Sequence, residues 1–180
     1  MKKRILLKIS WEAFSWNKDF GIDIKSVEKI AEKISSALKN NIELAIVIGW
    51  WNIYRWSNLI ASWIPSSDSH NLSMLSTVFN WVILKNILKK YSIKSEVFDP
   101  LWIKFLTPYN KDEAKDQMKK WNVVIFVCWT WNPYFTTGTW WVLRSLELEC
   151  DMMIKATKVD GVYDKDPMKY KYAKFVDKIS

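Results

Sequence analysis

Glycine is what this chain is short of. It has 4 in 180 residues, where ordinary usage of about 7% would give roughly 12 or 13. Histidine occurs once, and cysteine twice, as Cys128 and Cys150. Those counts exclude a disulfide framework and show no metal spacing; reduced thiols in a cytosolic protein are the expectation. No apolar run approaches the roughly 20 residues of a membrane helix. Ile5 to Ile9, behind the basic Met1-Lys2-Lys3-Arg4, is too short for a signal-peptide core, and Lys8 interrupts it. The formal net charge is +8, yet the lysines are dispersed and carry no nucleic-acid-binding signature. Neither nucleic acid nor a membrane is expected as partner; phosphorylated small molecules suit the charge. The length fits one domain with a sizeable core.

Tryptophan is what the chain has instead. There are thirteen, and many stand where a backbone should turn sharply beside a ligand. Gly49-Trp50-Trp51-Asn52 follows the apolar run Glu43 to Ile48, and Trp129-Thr130-Trp131-Asn132-Pro133 follows Val123 to Val127. Glycine makes such turns without steric cost and leaves N–H groups bare for phosphate. The largest side chain cannot serve there. The reading is that most of these residues are glycines in the living protein, from a gene whose UGA codons mean glycine. Adding 13 tryptophans to 4 glycines gives 17, a content that suits a glycine-using nucleotide enzyme. A core rich in tryptophan is the alternative, but adjacent pairs such as Trp140-Trp141 in turn positions would pack poorly. The reading predicts that Trp50, Trp51, Trp129 and Trp131 crowd the cleft or are displaced outward.

The chain alternates strand and helix. Arg4 to Ile9, Glu43 to Ile48, Lys94 to Phe98, Val123 to Val127 and Met152 to Ala156 read as strands. Asp23 or Ser26 can cap a helix carrying Val27, Ile30, Ala31, Ile34 and Leu38 at helical spacing. A loop runs from Asn52 to Ser69, then a long helix from about His70 to Tyr91, apolar nearly all round and so expected between sheet and partner. Lys111 to Lys120 and Thr137 to Glu149 read as helices, and Val159 to Val162 as a turn. Uniformly apolar strands alternating with helices predict a three-layer α/β sandwich, its sheet mostly parallel with helices on both faces. Ligands bind such sheets at the carboxyl ends of strands. The loops after Ile9, Ile48, Val127 and Ala156 all belong there.

Several segments resemble those of the bacterial UMP kinases, of the amino acid kinase superfamily. They are Arg4 to Ala13 (with Trp11 as glycine), Phe20-Gly21-Ile22-Asp23, Val47 to Trp56, Met74 to Val78, Thr130 to Thr137, and Lys155 to Tyr163. The Thr130 to Thr137 segment is the most specific of them. The resemblance covers essentially the whole chain. It implies transfer of the γ-phosphoryl group of ATP to UMP with Mg2+, in the cytoplasm. It also implies a homo-oligomer, a hexamer, with GTP and UTP as possible effectors. It further implies that residues 1–180 form one amino acid kinase domain lacking its C-terminal part.

The roles it implies are these. Lys8 and Lys155 neutralise the transferring group. Lys8, Ile9, Ser10, Trp11, Trp51 and Arg55 meet ATP, with Thr157, Tyr163 and Asp166 about the adenosine. Trp50, Arg55, His70, Thr130, Trp131, Asn132, Pro133, Tyr134, Phe135, Thr136 and Thr137 surround UMP. Trp16, Asn17, Lys18, Asp19, Phe20 and Gly21 resemble the GTP-linked loop. Bland roles stand beside each: Lys8 a strand-flanking lysine, Lys155 an ion-pair partner, Arg55 a solvated arginine. Thr136 and Thr137 could simply cap a helix, Tyr163 could pack a turn, and His70 could be an exposed helix-start residue. Two positions depart from the family pattern. His70 stands where an Asp usually bonds ribose, and Gly138 where an Asp follows Thr-Thr.

Other readings remain open at this level. One is another kinase of the superfamily acting on aspartate, glutamate, carbamate or acetylglutamate, against which the Thr130 to Thr137 segment speaks. Another is a nucleotide-binding relative without turnover. A third is an RNA-binding module with aromatic platforms, which would need tryptophans on exposed strand faces.

Overall fold

The computed structural model describes residues 2–10, 12–15, 21–49, 63–128, 130–157, 159 and 161–178. The first element is strand β1 (Lys3–Ile9), followed by a single turn, α1 (Glu12–Ser15). Helix α2 (Ile24–Leu38) starts at Asp23, whose carboxylate accepts the Lys25 N–H at 3.3 Å and the Ser26 hydroxyl at 2.6 Å. This is the N-cap expected from sequence. Strand β2 (Ile42–Ile48) leads, through residues outside the described set, to helix α3 (Ser66–Lys90). Then come β3 (Ser95–Asp99), β4 (Thr107–Pro108), α4 (Lys111–Lys119) and β5 (Val123–Phe126). Helix α5 (Thr137–Glu147), β6 (Met152–Ala156) and a two-stranded ribbon, β7 (Val162–Tyr163) with β8 (Phe175–Val176), complete the chain.

Six strands form one sheet in the order β4-β3-β5-β2-β1-β6, every pairing parallel. Parallel strands need both faces covered, which explains the apolar runs Leu44 to Ile48 in β2 and Val123 to Phe126 in β5. Alternation along each strand sorts the core into two layers. Ile9, Leu44, Ile46, Ile48, Val123 and Ile125 pack towards α2 and α3, with Val27, Ala31, Leu84 and Leu88. Leu6, Ala45, Val47, Val124 and Phe126 face the other way, onto Ala114 and Met118 of α4 and Trp140 of α5.

Helix α3 differs from its expected form in two ways. It begins at Ser66 rather than near His70, so Ser66 to Ser69, read as loop, is its first turn. It is not buried all round. Leu72, Leu75, Phe79 and Val82 are exposed, while Ser69, Ser73, Thr77 and Asn80 lie inside. The reason lies in hydrogen bonding. Three of those polar residues are satisfied by backbone: Ser73 donates to the Ser69 carbonyl, Thr77 to Met74, and Asn80 to Gly49. An apolar count cannot see that.

Candidate functional site at the carboxyl edge of the sheet

Because all six strands run the same way, their carboxyl ends share one edge. Backbone bonds tie the ends together beyond the strands. The Gly49 N–H donates to the Ile9 carbonyl at 3.0 Å, and the Ser10 N–H to the Ala156 carbonyl at 3.3 Å. Two residues of α3 fasten the loop starts. Asn80 Nδ2, fully buried, donates to the Gly49 carbonyl at 2.6 Å. Thr77 Oγ1 accepts the Cys128 N–H at 2.9 Å. Asn80 carried no functional expectation. Its signal in the sequence was a polar residue at a core-facing helical spacing, which apolar periodicity discards.

Lys8 sits one residue before the end of β1 and is aligned with Lys155 of β6 in the parallel register. Cross-strand partners share a face, so both ammonium groups leave the sheet on the α5 side. Burial depresses the Lys8 pKa, and the nearby Lys155 charge depresses it further. No carboxylate among the described residues makes an ion pair with either lysine. Two like charges held without a counter-charge, one half-buried, make a place that a polyanion would relieve.

The loop between β5 and α5 leaves the sheet from the same edge. It is held in an unusual backbone: Cys128, Trp131 and Tyr134 have φ of 55°, 58° and 70°. Thr136 is the N-cap of α5 and accepts the Thr139 N–H at 3.2 Å, so its capping role holds; Thr137 is the first helical residue. Asn132 is exposed, and its N–H meets Thr130 Oγ1 at 3.3 Å. Pro133 is half-buried and Phe135 exposed. Tyr134 lies against His70 of α3, ring centroids 4.9 Å apart. His70 is therefore a half-buried residue in the second turn of α3, brought to this loop across 64 positions of sequence (134 − 70).

Cys128 is buried, and burial with the nearby Asp99 carboxylate pushes its thiol up to about 12. It stays a thiol at neutral pH and is inert as a nucleophile. Cys150 is pushed up to about 11, mainly by burial. Both are free cysteines.

The adenosine-side expectations fare differently. Thr157 follows β6 and donates to the Val159 carbonyl at 2.8 Å. Tyr163 packs edge-on against Phe175 at 5.5 Å, and Asp166 Oδ1 accepts the Met168 N–H at 3.0 Å. The contacts given for Tyr163 and Asp166 thus lie within the terminal ribbon and its turn. Gly161 has a plain steric reason: a Cβ there would meet the Phe175 ring at 2.6 Å. Gly138, by contrast, has no left-handed φ, and a Cβ would find only Thr136 Oγ1 at 3.3 Å. Trp11, Trp16 to Phe20, Trp50, Trp51, Arg55 and Trp129 lie outside the described residues. Gly21, at the end of the GTP-linked segment, has φ 88°.

An open groove of about 550 Å³ is lined by Ile5, Leu7, Ile9, Ile30 and Ile154, among others. It is apolar and lies on the α2 face of β1, opposite Lys8. It is not where the charged groups converge.

An open parallel sheet with paired lysines and turn-rich loops at its carboxyl edge defines an α/β protein that handles phosphorylated ligands. The particular family follows from comparison. The model of the amino acid kinase family matches residues 3–180. The chain is 40% identical over 173 residues to the uridylate kinase of Rickettsia bellii (strain RML369-C), covering 96% of this chain and 72% of that one. It is 41% identical over 173 residues to the uridylate kinase of Magnetococcus marinus, with the same coverage. Among solved structures, the UMP kinase from Bacillus anthracis superposes with TM-score 0.90 at 30% identity, over 96% of this chain and 72% of that one. The UMP kinase from Ureaplasma parvum gives TM-score 0.89 at 30% identity, over 97% and 75%. The chain belongs to the amino acid kinase family.

Proposed function

We infer that this chain is a nucleoside monophosphate kinase, transferring the γ-phosphoryl group of ATP to UMP to give ADP and UDP. The observation that carries the reading is the Lys8–Lys155 pair at the carboxyl edge, on the α5 side of the sheet. The similarity to uridylate kinases across 96% of the chain supports the choice of acceptor.

In the proposed reaction the bond from the ATP γ-phosphorus to its bridging oxygen breaks, and a bond to a UMP phosphate oxygen forms. Such transfer needs positioning and charge neutralisation more than covalent help from protein. Lys8 and Lys155 supply the charge. Ser10 and residue 11 would offer N–H groups to the ATP phosphates, with Arg55 and residues 50 and 51 near both nucleotides. The Thr130 to Thr137 loop, with His70 behind Tyr134, would hold uridine and its phosphate. Thr157, Tyr163 and Asp166 would meet the adenosine. A charge displacement supports the role of Lys8: its burial cost is recovered only when an anion sits beside it.

Magnesium is proposed to arrive with ATP. Such an ion is commonly held largely by substrate phosphates. When bound, the ion would add neutralising charge between the phosphates. We further propose a homo-oligomer, a hexamer in the cytoplasm, acting in pyrimidine nucleotide synthesis with GTP and UTP as effectors. The exposed apolar row Leu72, Leu75, Phe79 and Val82 on α3 supports an oligomer contact. Phosphoryl transfer from ATP, assayed with UMP against CMP, aspartate and glutamate, tests the reading. UDP should form and the other acceptors should not compete.

A further inference from the structure

Seven of the tryptophans fall among the described residues, and four of them are left-handed: Trp63, Trp102, Trp121 and Trp131, with φ of 68°, 60°, 65° and 58°. Among the described residues, five other non-glycine residues share that conformation: Asn41, Ser92, Cys128, Tyr134 and Glu149. A left-handed φ costs an L-residue roughly 1–2 kcal/mol, and only glycine escapes it. For a bulky side chain it is a true outlier.

The surroundings say what residue each position is built for. Trp121 follows the last turn of α4. Its N–H meets the Met118 carbonyl at 3.0 Å, and the Asn122 N–H meets the Gln117 carbonyl at 3.1 Å. This is the two-bond helix stop whose left-handed residue is usually glycine. Trp121 does gain a contact, Lys2 Nζ lying 3.9 Å from its ring centroid. An exposed contact of that kind is worth about 0.5–1 kcal/mol, less than the backbone cost. Trp102 lies between two residues whose N–H groups share Asp99 Oδ1, at 2.7 and 3.2 Å. Its side chain is 77% exposed, and that of Trp63 is 97% exposed. Neither indole offers burial in return for its backbone.

Trp141 carries a different sign. Its indole Nε1 is buried without a hydrogen-bond partner among the described residues, although a buried Trp N–H ordinarily finds one. Its ring lies 5.7 Å from Lys8 Nζ, on the α5 side where the paired lysines emerge. Trp81 and Trp140 also have unpartnered indole nitrogens, but both fill the core, and the inference does not rest on them.

We propose that the protein works with glycine at positions 63, 102, 121, 131 and 141, and that glycine at 141 opens the approach of a phosphoryl group to Lys8. With an indole at 141 the ring takes the place of the anion as the neighbour of the ammonium. The second half rests on the proposed role of Lys8; the first half does not.

The test has separate arms for that reason. Trp63→Gly, Trp102→Gly and Trp121→Gly, at positions given no role in the site, should each raise the folded-to-unfolded ratio severalfold, on the order of 5–30. The matched alanine variants should not, because alanine keeps the left-handed penalty. Equal effects of glycine and alanine, or losses from glycine, overturn the backbone argument. Calorimetric titration with ATP reads the other arm. Trp141→Gly should tighten binding at least about tenfold, and a Lys8→Met background should abolish the gain. No gain, or a gain that survives Lys8→Met, overturns it. Failure of UMP phosphorylation alone would count against the assigned activity and leave the stability arm standing. The gene and the intact mass of the protein from its own cells decide directly: UGA codons with glycine masses bear the proposal out, and UGG codons with tryptophan masses sink it.

Discussion

The two ends of β1 carry the same kind of residue in opposite company. At the amino end, Arg4 is answered in full. Its guanidinium donates to Glu43 Oε2 at 2.8 and 2.7 Å and to the Leu148 carbonyl at 2.6 Å, and its N–H meets Asp151 Oδ2 at 2.6 Å. Lys2 adds a looser bridge to Glu43 at 3.7 Å. Four residues further on, and on the same face, Lys8 is aligned with another lysine. Within one strand, then, one cation is met by a carboxylate and a carbonyl, and the other has no carboxylate ion pair among the described residues. That difference supports the role proposed for Lys8.

Breaking each end should give different losses. In the glycine form, Lys8→Met should lower phosphoryl transfer by on the order of 10²–10³ while the unfolding midpoint does not fall. A parallel loss of stability would mean that Lys8 is structural. Arg4→Ala should do the reverse. It leaves Glu43 buried without its main partner, at a cost of about 3 kcal/mol, with turnover per folded molecule unchanged. Thr77→Val should sharpen the comparison at the carboxyl edge. It strips the acceptor from the buried Cys128 N–H, costing about 1–3 kcal/mol, and should raise KM for UMP more than for ATP.

A smaller effect concerns pH. Lys8 has a folded pKa below its unfolded value of 10.5. The unfolded chain therefore holds that proton more tightly, and stability rises with pH between the lowered value and 10.5. Below the window the charged lysine is a standing cost. Lys8→Met should remove this alkaline rise and leave the protein somewhat more stable at neutral pH. Urea unfolding followed from neutral pH upward would show it; an unchanged slope would place the shift elsewhere.

Much of this was legible in the sequence, for physical reasons that also mark where reading failed. Apolar runs such as Leu44 to Ile48 and Val123 to Val127 show themselves because central parallel strands are buried on both faces. Lys8 was legible because a charge inside such a run needs an explanation. The inward polar face of α3 was not. Asn80 and Thr77 are paid for by backbone groups of distant loops, which no local pattern contains. Strands β4, β7 and β8 have two residues each, too few for any period to register. The His70–Tyr134 contact joins segments that only the fold brings together. The excess tryptophans were visible as composition, and the left-handed backbone at four of them supplies the stereochemical counterpart. Trp131, expected to crowd the cleft or be displaced, is half-buried and packs against both core layers.

The central claim is that the unanswered lysine pair at the carboxyl edge serves phosphoryl transfer to UMP. Its most direct measurement follows the γ-phosphate of labelled ATP in the glycine form, with and without Lys8→Met. The account predicts label in UDP, none in CMP, aspartate or glutamate products, and a fall of on the order of 10²–10³ in the variant. Label passing to an amino acid, or transfer to UMP undiminished by Lys8→Met, would contradict it.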